Sequence, residues 1–314
     1  MICVRFPLVS GALLGPPAPL SACLCPTIEE CLASGALLLE RAGIETARLD
    51  AECLLAYVLG CPRWRLVTEP RRRLTQDEFG RYLMLIQRRE VREPLAYLLG
   101  TREFWSLGFE VSPGVLIPRP ETETLVEAVL AAIRQGQLPS PVMVELCTGT
   151  GAVAIALARE LPGATVFATD ISRRALRVAR ANAETHGVAD RVRLLRGDLW
   201  EALQGREPVD GVDLVVANPP YLPSGILPTL MPEVQWEPWR ALDGGPDGLR
   251  FHQEIIAGAP LNLRPGGFLL LETGADQART VSGLVQASGG FEAPRVLQDL
   301  GGRDRVVVAR RRDN

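Results

Sequence analysis

Val144-Glu145-Leu146-Cys147-Thr148-Gly149-Thr150-Gly151 ends an apolar, strand-like run and leads straight into the helical pattern of residues 151–161. A strand that turns on glycines into a helix brings backbone N–H groups and the helix start close to a ligand, because glycine lets the chain approach without a side chain in the way. By itself the turn suits a dinucleotide, a mononucleotide or S-adenosylmethionine. Downstream, apolar runs alternate with helical patterns at 165–169, 173–186, 192–195, 212–217, 249–263 and 267–272, followed by two late runs at 295–297 and 305–309. Strand alternating with helix predicts an α/β fold with a doubly wound, mostly parallel sheet. Ligands in such sheets bind beyond the carboxyl ends of the strands, where the strand order reverses.

Acidic residues stand at three successive strand ends. Glu145 closes the first run, Asp170 the second and Asp198 follows the third. An acid about 20 residues past the glycine turn is placed to accept hydrogen bonds from ribose hydroxyls, so Asp170 narrows the ligand to one carrying a ribose. Asp198, with Leu199 beside it, is placed to accept from an adenine amino group. Either aspartate alone reads equally well as a helix cap; the series of three does not.

Asn218-Pro219-Pro220-Tyr221 follows the run 212–217 directly. Prolines cannot extend a strand ladder, and they hold the backbone rigid. Asn218 and the Pro219 carbonyl can then accept both hydrogens of one planar NH2 group, while Tyr221 offers a ring face to stack on it. An amide or aromatic amine is a poor nucleophile because its lone pair is delocalised. Two fixed acceptors favour the attacking configuration of the nitrogen and aim it at a donor methyl, so positioning and preorganised dipoles replace a strong base.

Towards the amino end, residues 93–120 hold short strand-like pieces at 103–105 and 109–111 around Ser106-Leu107-Gly108, then Pro113-Gly114 and Pro118-Arg119-Pro120, which predicts a hairpin linker. Residues 26–92 read as a small helical domain. Thr27 with Glu30 and Thr75 with Glu78 are capping boxes, and Gly43 and Gly60 end two helical runs. Residues 121–314 form the α/β domain. Residues 6–28 carry no charge, but Pro7, Pro16, Pro17 and Pro19 rule out a membrane helix, and Leu20-Ser21-Ala22-Cys23 resembles a lipoprotein cleavage site. A disordered extension over 1–25 is the expected reading.

The 314 residues are 47% hydrophobic and 23% charged, ordinary for a globular chain of about two domains. All 34 basic residues are arginine; against 37 acids they leave a net charge of -3, which lacks the footprint of a protein gripping long nucleic acid. Seven scattered cysteines and two histidines predict neither a disulfide framework nor a metal site. Arg71, Arg72 and Arg73 are matched by nearby acids and read as a solvated turn.

Taken together these motifs resemble the PrmC/HemK family of class I S-adenosylmethionine-dependent methyltransferases, which methylate glutamine side chains in peptide chain release factors. The resemblance spans about residues 26–311. It includes Arg92-Glu93-Pro94-Leu95-Ala96-Tyr97, Arg102-Glu103-Phe104-Trp105-Ser106 and Leu116-Ile117-Pro118-Arg119-Pro120-Glu121-Thr122-Glu123. It continues through Glu237-Pro238, Ala241-Leu242-Asp243-Gly244-Gly245, the strand ending in Glu272, and residues 299–305. It implies a Rossmann-like, seven-stranded sheet and methyl transfer to the glutamine amide nitrogen of a Gly-Gly-Gln motif, the helical domain helping to dock the release factor. The chain is expected to be a cytoplasmic monomer, with no stable nucleic-acid partner on its charge and no membrane partner on its prolines. By similarity S-adenosylmethionine contacts Glu145, Thr148, Gly149, Thr150, Gly151, Asp170, Asp198, Leu199 and Asn218. Asn218, Pro219, Pro220 and Tyr221 hold the glutamine, and Phe104, Arg119 and Glu121 line its site.

Two positions depart from the family pattern. Cys147 stands where a first glycine is common, and Leu199 where an aromatic often follows the third acid. Cys147 is expected to be tolerated if its backbone angle is ordinary, and inert if buried. The nearest alternatives are an N6-adenine DNA methyltransferase, which needs a flipped base and gripped phosphates, and a methyltransferase for another glutamine-bearing protein. A non-catalytic nucleotide-binding module would be marked by a broken acceptor motif, and residues 218–221 are intact.

Overall fold

A computed structural model describes residues 25–205 and 211–313 of the chain. The reading of 1–25 as an extension therefore lies outside the described residues, Cys25 apart. Among the described residues no helix is long and apolar enough to cross a membrane.

The amino-terminal helices begin where their caps predict. Thr27 accepts from the Glu30 N–H and the Glu30 carboxylate takes the Thr27 N–H, opening α1 (Ile28–Arg41). α2 (Ala47–Leu59) stops at Gly60, whose φ of 60° is left-handed. A short α3 (Trp64–Thr68) precedes α4 (Gln76–Glu90), which Thr75 and Glu78 cap in the same reciprocal way. α5 (Leu95–Leu99) closes the bundle. At five residues each, α3 and α5 are too short for a helical period to show in sequence. Leu39, Leu54, Leu55 and Ile86 fill a core of the bundle's own, each buried side chain contributing roughly 1.5–3 kcal/mol. Arg72 pairs with Glu78 on the exposed turn, as a solvated cluster would.

The hairpin β1 (Thr101–Phe104) and β2 (Leu107–Glu110) turns on Trp105–Ser106 rather than on residues 106–108. Both turn residues have positive φ, 53° and 56°, a conformation that two-residue hairpins ordinarily give to Asn-Gly. Tertiary bonds override that preference. The Trp105 N–H donates to Glu123 and its indole Nε1–H to Glu160, at 2.7 and 2.8 Å.

The remaining elements are α6 (Glu123–Gly136), β3 (Val142–Leu146), α7 (Ala152–Glu160), β4 (Thr165–Asp170), α8 (Arg173–Thr185), β5 (Val192–Arg196), β6 (Val212–Ala217), α9 (Arg250–Asn262), β7 (Leu263–Glu272), α10 (Ala278–Ala287), β8 (Arg295–Gln298) and β9 (Asp304–Arg310). α6 and α10 fall outside the helical runs read from the sequence. Residues alternate between the two faces of each strand. Met143, Val166, Leu214 and Val216 therefore pack under α6, α7 and α8, while Val144, Phe167, Val215 and Ala217 pack under α9 and α10. The seven strands take the order β5-β4-β3-β6-β7-β9-β8; all pairings are parallel except those of β9, the doubly wound arrangement expected.

Strand order reverses between β3 and β6. Leu146 lies beside Ala217, and Ala217 beside Leu271. Cys147, Asn218 and Glu272 therefore leave adjacent strands in one row along the carboxyl edge.

Candidate active site

A cavity of about 270 Å³ opens at that edge, with Cys147, Gly149, Asp170, Asp198, Leu199 and Asn218 among the residues on its wall. The turn after β3 is held from below. The Thr148 N–H reaches the Thr169 carbonyl at 2.9 Å, and the Gly149 N–H reaches an Asp170 carboxylate oxygen at 3.0 Å. The other Asp170 oxygen takes the Ser172 N–H at 2.8 Å, leaving lone pairs on both for a ligand. Burial pushes this carboxyl above its usual range, against the pull of those two N–H bonds. Gly151 has a φ of 81°, and a Cβ there would meet Ile155 and Ala179 at 3.0 and 3.1 Å, so helix α7 can start only from glycine at this packing distance.

The wall suits an adenosine-bearing ligand. Carboxylates face it at Asp170 and Asp198, Val115, Ala175 and Phe251 supply apolar surface, and the buried Thr169 Oγ1 has no partner among the described residues. Glu145, Thr148, Thr150 and Gly151 lie outside this wall. Glu145 is 3% exposed and accepts from the Thr148 hydroxyl and, at 3.1 Å, from the Ala154 N–H. It ties the turn to the helix beyond it. Burial raises its carboxyl to about 8.

On the other side of the reversal Asn218 is half-buried, and Pro219 and Pro220 are buried. The Asn218 Nδ2–H donates to Thr122 Oγ1 at 3.2 Å, and the Tyr221 hydroxyl donates to Glu272 Oε1 at 3.4 Å. The chain then runs through three short 3-10 turns over residues 224–241 and returns beside the motif. The Leu222 N–H reaches the Leu242 carbonyl and the Gly244 N–H the Leu222 carbonyl, at 2.9 and 2.8 Å. A Cβ on Gly244 would lie 2.8 Å from the Tyr221 Cα, which explains a glycine at this closure.

This returning strap is anchored at two points. Glu237, 3% exposed, pairs with Arg119 and accepts the Ile117 N–H at 3.0 Å. Glu233 takes both Arg92 and Arg89, and Arg89 continues to the buried Asp50 at 2.7 Å. The strap is thereby fastened to the helical bundle, and it contributes Pro238, Arg240 and Ala241 to the cavity wall.

Asn218 and Pro220 therefore meet Asp170, Asp198 and Leu199 on one wall. Phe104 is placed elsewhere: it is 1% exposed, in the core under the sheet, with an edge-to-face contact to Phe109. β1 turns it inward. Arg119 acts on the strap through Glu237, and Glu121 is exposed. Thr122, Glu233, Glu237 and Glu272 were not singled out as site residues from sequence, although Thr122, Glu237 and Glu272 lie in quoted motifs; only the register and the strap's path bring them to the site.

The two departures from the family pattern share a conformation. Cys147 has a φ of 62° and Leu199 one of 41°. The ordinary angle on which tolerance of Cys147 depended is not present, and a left-handed angle costs a residue with a Cβ roughly 1–2 kcal/mol. Burial, reinforced by the charges of Asp170, Asp198 and Glu145, pushes the Cys147 thiol well above its usual range, which disfavours the thiolate.

Residues 30–100 match a family model described as the PrmC N-terminal domain, and residues 122–225 one described as the methyltransferase small domain. The chain is 45% identical to the release factor glutamine methyltransferase of Moorella thermoacetica over 91% of its own length and 99% of that protein. It is 44% identical to the one from Geobacter sulfurreducens, over 85% of this chain and 91% of that one. A solved release factor-specific protein-(glutamine-N5) methyltransferase from Alicyclobacillus acidocaldarius is 30% identical, covers 65% of this chain and 99% of its own, and has a TM-score of 0.40. With relatives this similar along nearly the whole chain, the protein belongs to the family of release factor glutamine methyltransferases.

Proposed function

We propose that this chain methylates the side-chain amide nitrogen of the glutamine in the Gly-Gly-Gln motif of bacterial-type release factors, and that it does so in the cytoplasm. The observation that carries this reading is the placement of residues 218–221 at the strand-order reversal, against the wall that bears Asp170 and Asp198. Asp170 would hold the ribose of S-adenosylmethionine, and Asp198 with Leu199 its adenine. The bound cofactor supplies an electrophilic methyl group on its sulfonium.

Asn218 Oδ1 and the Pro219 carbonyl accept the two N–H bonds of the glutamine amide, and Tyr221 stacks on its plane. These contacts hold the nitrogen towards the methyl and stabilise the charge that grows on it, the preorganised-dipole form of catalysis. A protein acceptor is favoured over DNA by charge. Four arginines of the bundle are paired within the chain, Arg72 with Glu78, Arg88 with Glu93, Arg89 with Asp50 and Arg92 with Glu233, and are not free to grip phosphate.

The test is to incubate the chain with S-adenosylmethionine and a bacterial-type release factor and map added methyl by peptide mass spectrometry, with a Gln→Ala variant of the Gly-Gly-Gln motif as control. One methyl on that glutamine, absent from the control, is the expected result. Cofactor binding without transfer to the release factor would overturn the substrate assignment and turn the search to other glutamine-bearing proteins and to DNA adenine.

A further inference from the structure

The proposed reaction needs Asn218 to present Oδ1 to the acceptor amide, because only the oxygen accepts. Turned over, the same side chain would set two N–H donors against a substrate that is itself a donor. Thr122 supplies the group that fixes its sense, and the register of the sheet places Glu272 beside the motif. Ala217 lies beside Leu271, so Asn218 and Glu272 leave neighbouring strand ends. Thr122, in the turn ahead of α6 and 5% exposed, takes the Asn218 Nδ2–H on its hydroxyl oxygen at 3.2 Å. Glu272, 1% exposed, accepts from the Tyr221 hydroxyl at 3.4 Å.

With Thr122 Oγ1 as acceptor, Asn218 turns its Nδ2–H towards Thr122 and leaves Oδ1 for the substrate.

We propose that Thr122 and Glu272 are positioning residues for methyl transfer: Thr122 takes the Asn218 Nδ2–H and so leaves Oδ1 to the acceptor, and Glu272 holds the Tyr221 ring at the other end of the motif. This rests on the acceptor role given above to residues 218–221. A second observation supports it. Glu272 Oε2 is buried without a partner among the described residues, an arrangement unfavourable for folding alone and expected where orientation of a site takes precedence. Burial also raises this carboxyl to about 7, while Thr122, Arg305 and Tyr221 pull it down.

The experiment compares Thr122→Val, Thr122→Ser and Glu272→Gln in the full-length chain. It reads kcat and KM for a release factor, cofactor dissociation by calorimetry, and melting temperature. Thr122→Val keeps the shape and removes the hydroxyl. It is expected to lower kcat at least tenfold, as small misplacements of reacting groups do, with KM and cofactor dissociation within about twofold of wild type. Thr122→Ser should restore kcat to within about threefold, and Glu272→Gln should lose about fivefold or more.

The decisive readout is coupling. If Thr122 acts through Asn218, adding Thr122→Val to Asn218→Ala should change single-turnover rates by less than about twofold. A Thr122→Val or Glu272→Gln enzyme with kcat within twofold of wild type would overturn the proposal, as would losses that multiply in the double variant. Unaltered cofactor binding and melting temperature show that a slow variant is folded. Failure of the substrate reading is seen separately, in a wild-type chain that binds cofactor and leaves the release factor unmethylated.

Discussion

Each half of the site buries a glutamate at a strand end, and the two are held in opposite ways. Glu145, on the cofactor half, is satisfied by its own loop: its partners are three and nine residues away. Glu272, on the acceptor half, is met by Tyr221, 51 residues back, and the neighbouring Asn218 by Thr122, which comes from before the first strand of the sheet. The cofactor half is a local structure carried by glycines and backbone angles. The acceptor half is assembled from segments far apart in sequence, and the strap extends that assembly to the helical bundle through Glu233.

If this contrast is right, the largest single effect belongs to Asn218. Asn218→Ala should lower kcat by about 10³-fold, as removal of one preorganised polar group in a reaction of this kind does. Cofactor dissociation by calorimetry should change less than about threefold. A variant that keeps near-wild-type turnover would show that the acceptor half does not grip the amide at all.

Next comes the strap. Glu233→Ala takes one of two carboxylates from Arg89, 5% exposed, which keeps Asp50, and loss of a charge-assisted hydrogen bond destabilises by about 1.5–3 kcal/mol. Chemical denaturation should show the loss. Because the same residue fastens the wall segment of Pro238 and Arg240, KM for the release factor should rise as well. Full stability with unchanged kinetics would mean that bundle and strap are independent.

The same contrast explains what the sequence made legible. Capping boxes, the glycine turn and the alternation of strands and helices depend on neighbours within a few residues, and the structure places α1, α4, α7 and β3 to β6 where those signals lie. The Trp105–Ser106 turn was misplaced because its positive angles are imposed by Glu123 and Glu160 rather than by turn residues. Asp170, Asp198 and residues 218–221 could be read because each follows its own strand. Thr122, Glu233 and Glu237 could not, since their partners are fixed only by register and by the path of a strap without regular structure.

On the cofactor half the expected effects are smaller. Asp170→Ala removes a carboxylate that takes the Gly149 and Ser172 N–H groups and lines the cavity where the ribose is proposed to bind. A charge-assisted hydrogen bond contributes about 1.5–3 kcal/mol, so the cofactor dissociation constant should rise roughly 10- to 100-fold. At saturating cofactor kcat should fall much less, the reverse of the Asn218→Ala pattern. An unchanged dissociation constant would contradict the ribose assignment.

The smallest effect tests whether the cofactor half is governed by backbone angles. Cys147 holds a φ of 62°, and replacing it with glycine relieves roughly 1–2 kcal/mol of left-handed strain. Glycine also loses more chain entropy on folding, about 0.5–1 kcal/mol, and the packing of the thiol on its apolar surroundings is given up. The net expectation for Cys147→Gly is a gain of up to about 1 kcal/mol, or a rise in melting temperature of about 2–4 °C for a chain of this size. Cys147→Ala separates the two contributions, because it loses the sulfur and keeps the strained Cβ. It should be neutral or destabilising. The difference in melting temperature between the glycine and alanine variants therefore measures the strain directly. If both variants melted together below wild type, the turn would be limited by packing rather than by angle, and the local character assigned to the cofactor half would fail at its first residue.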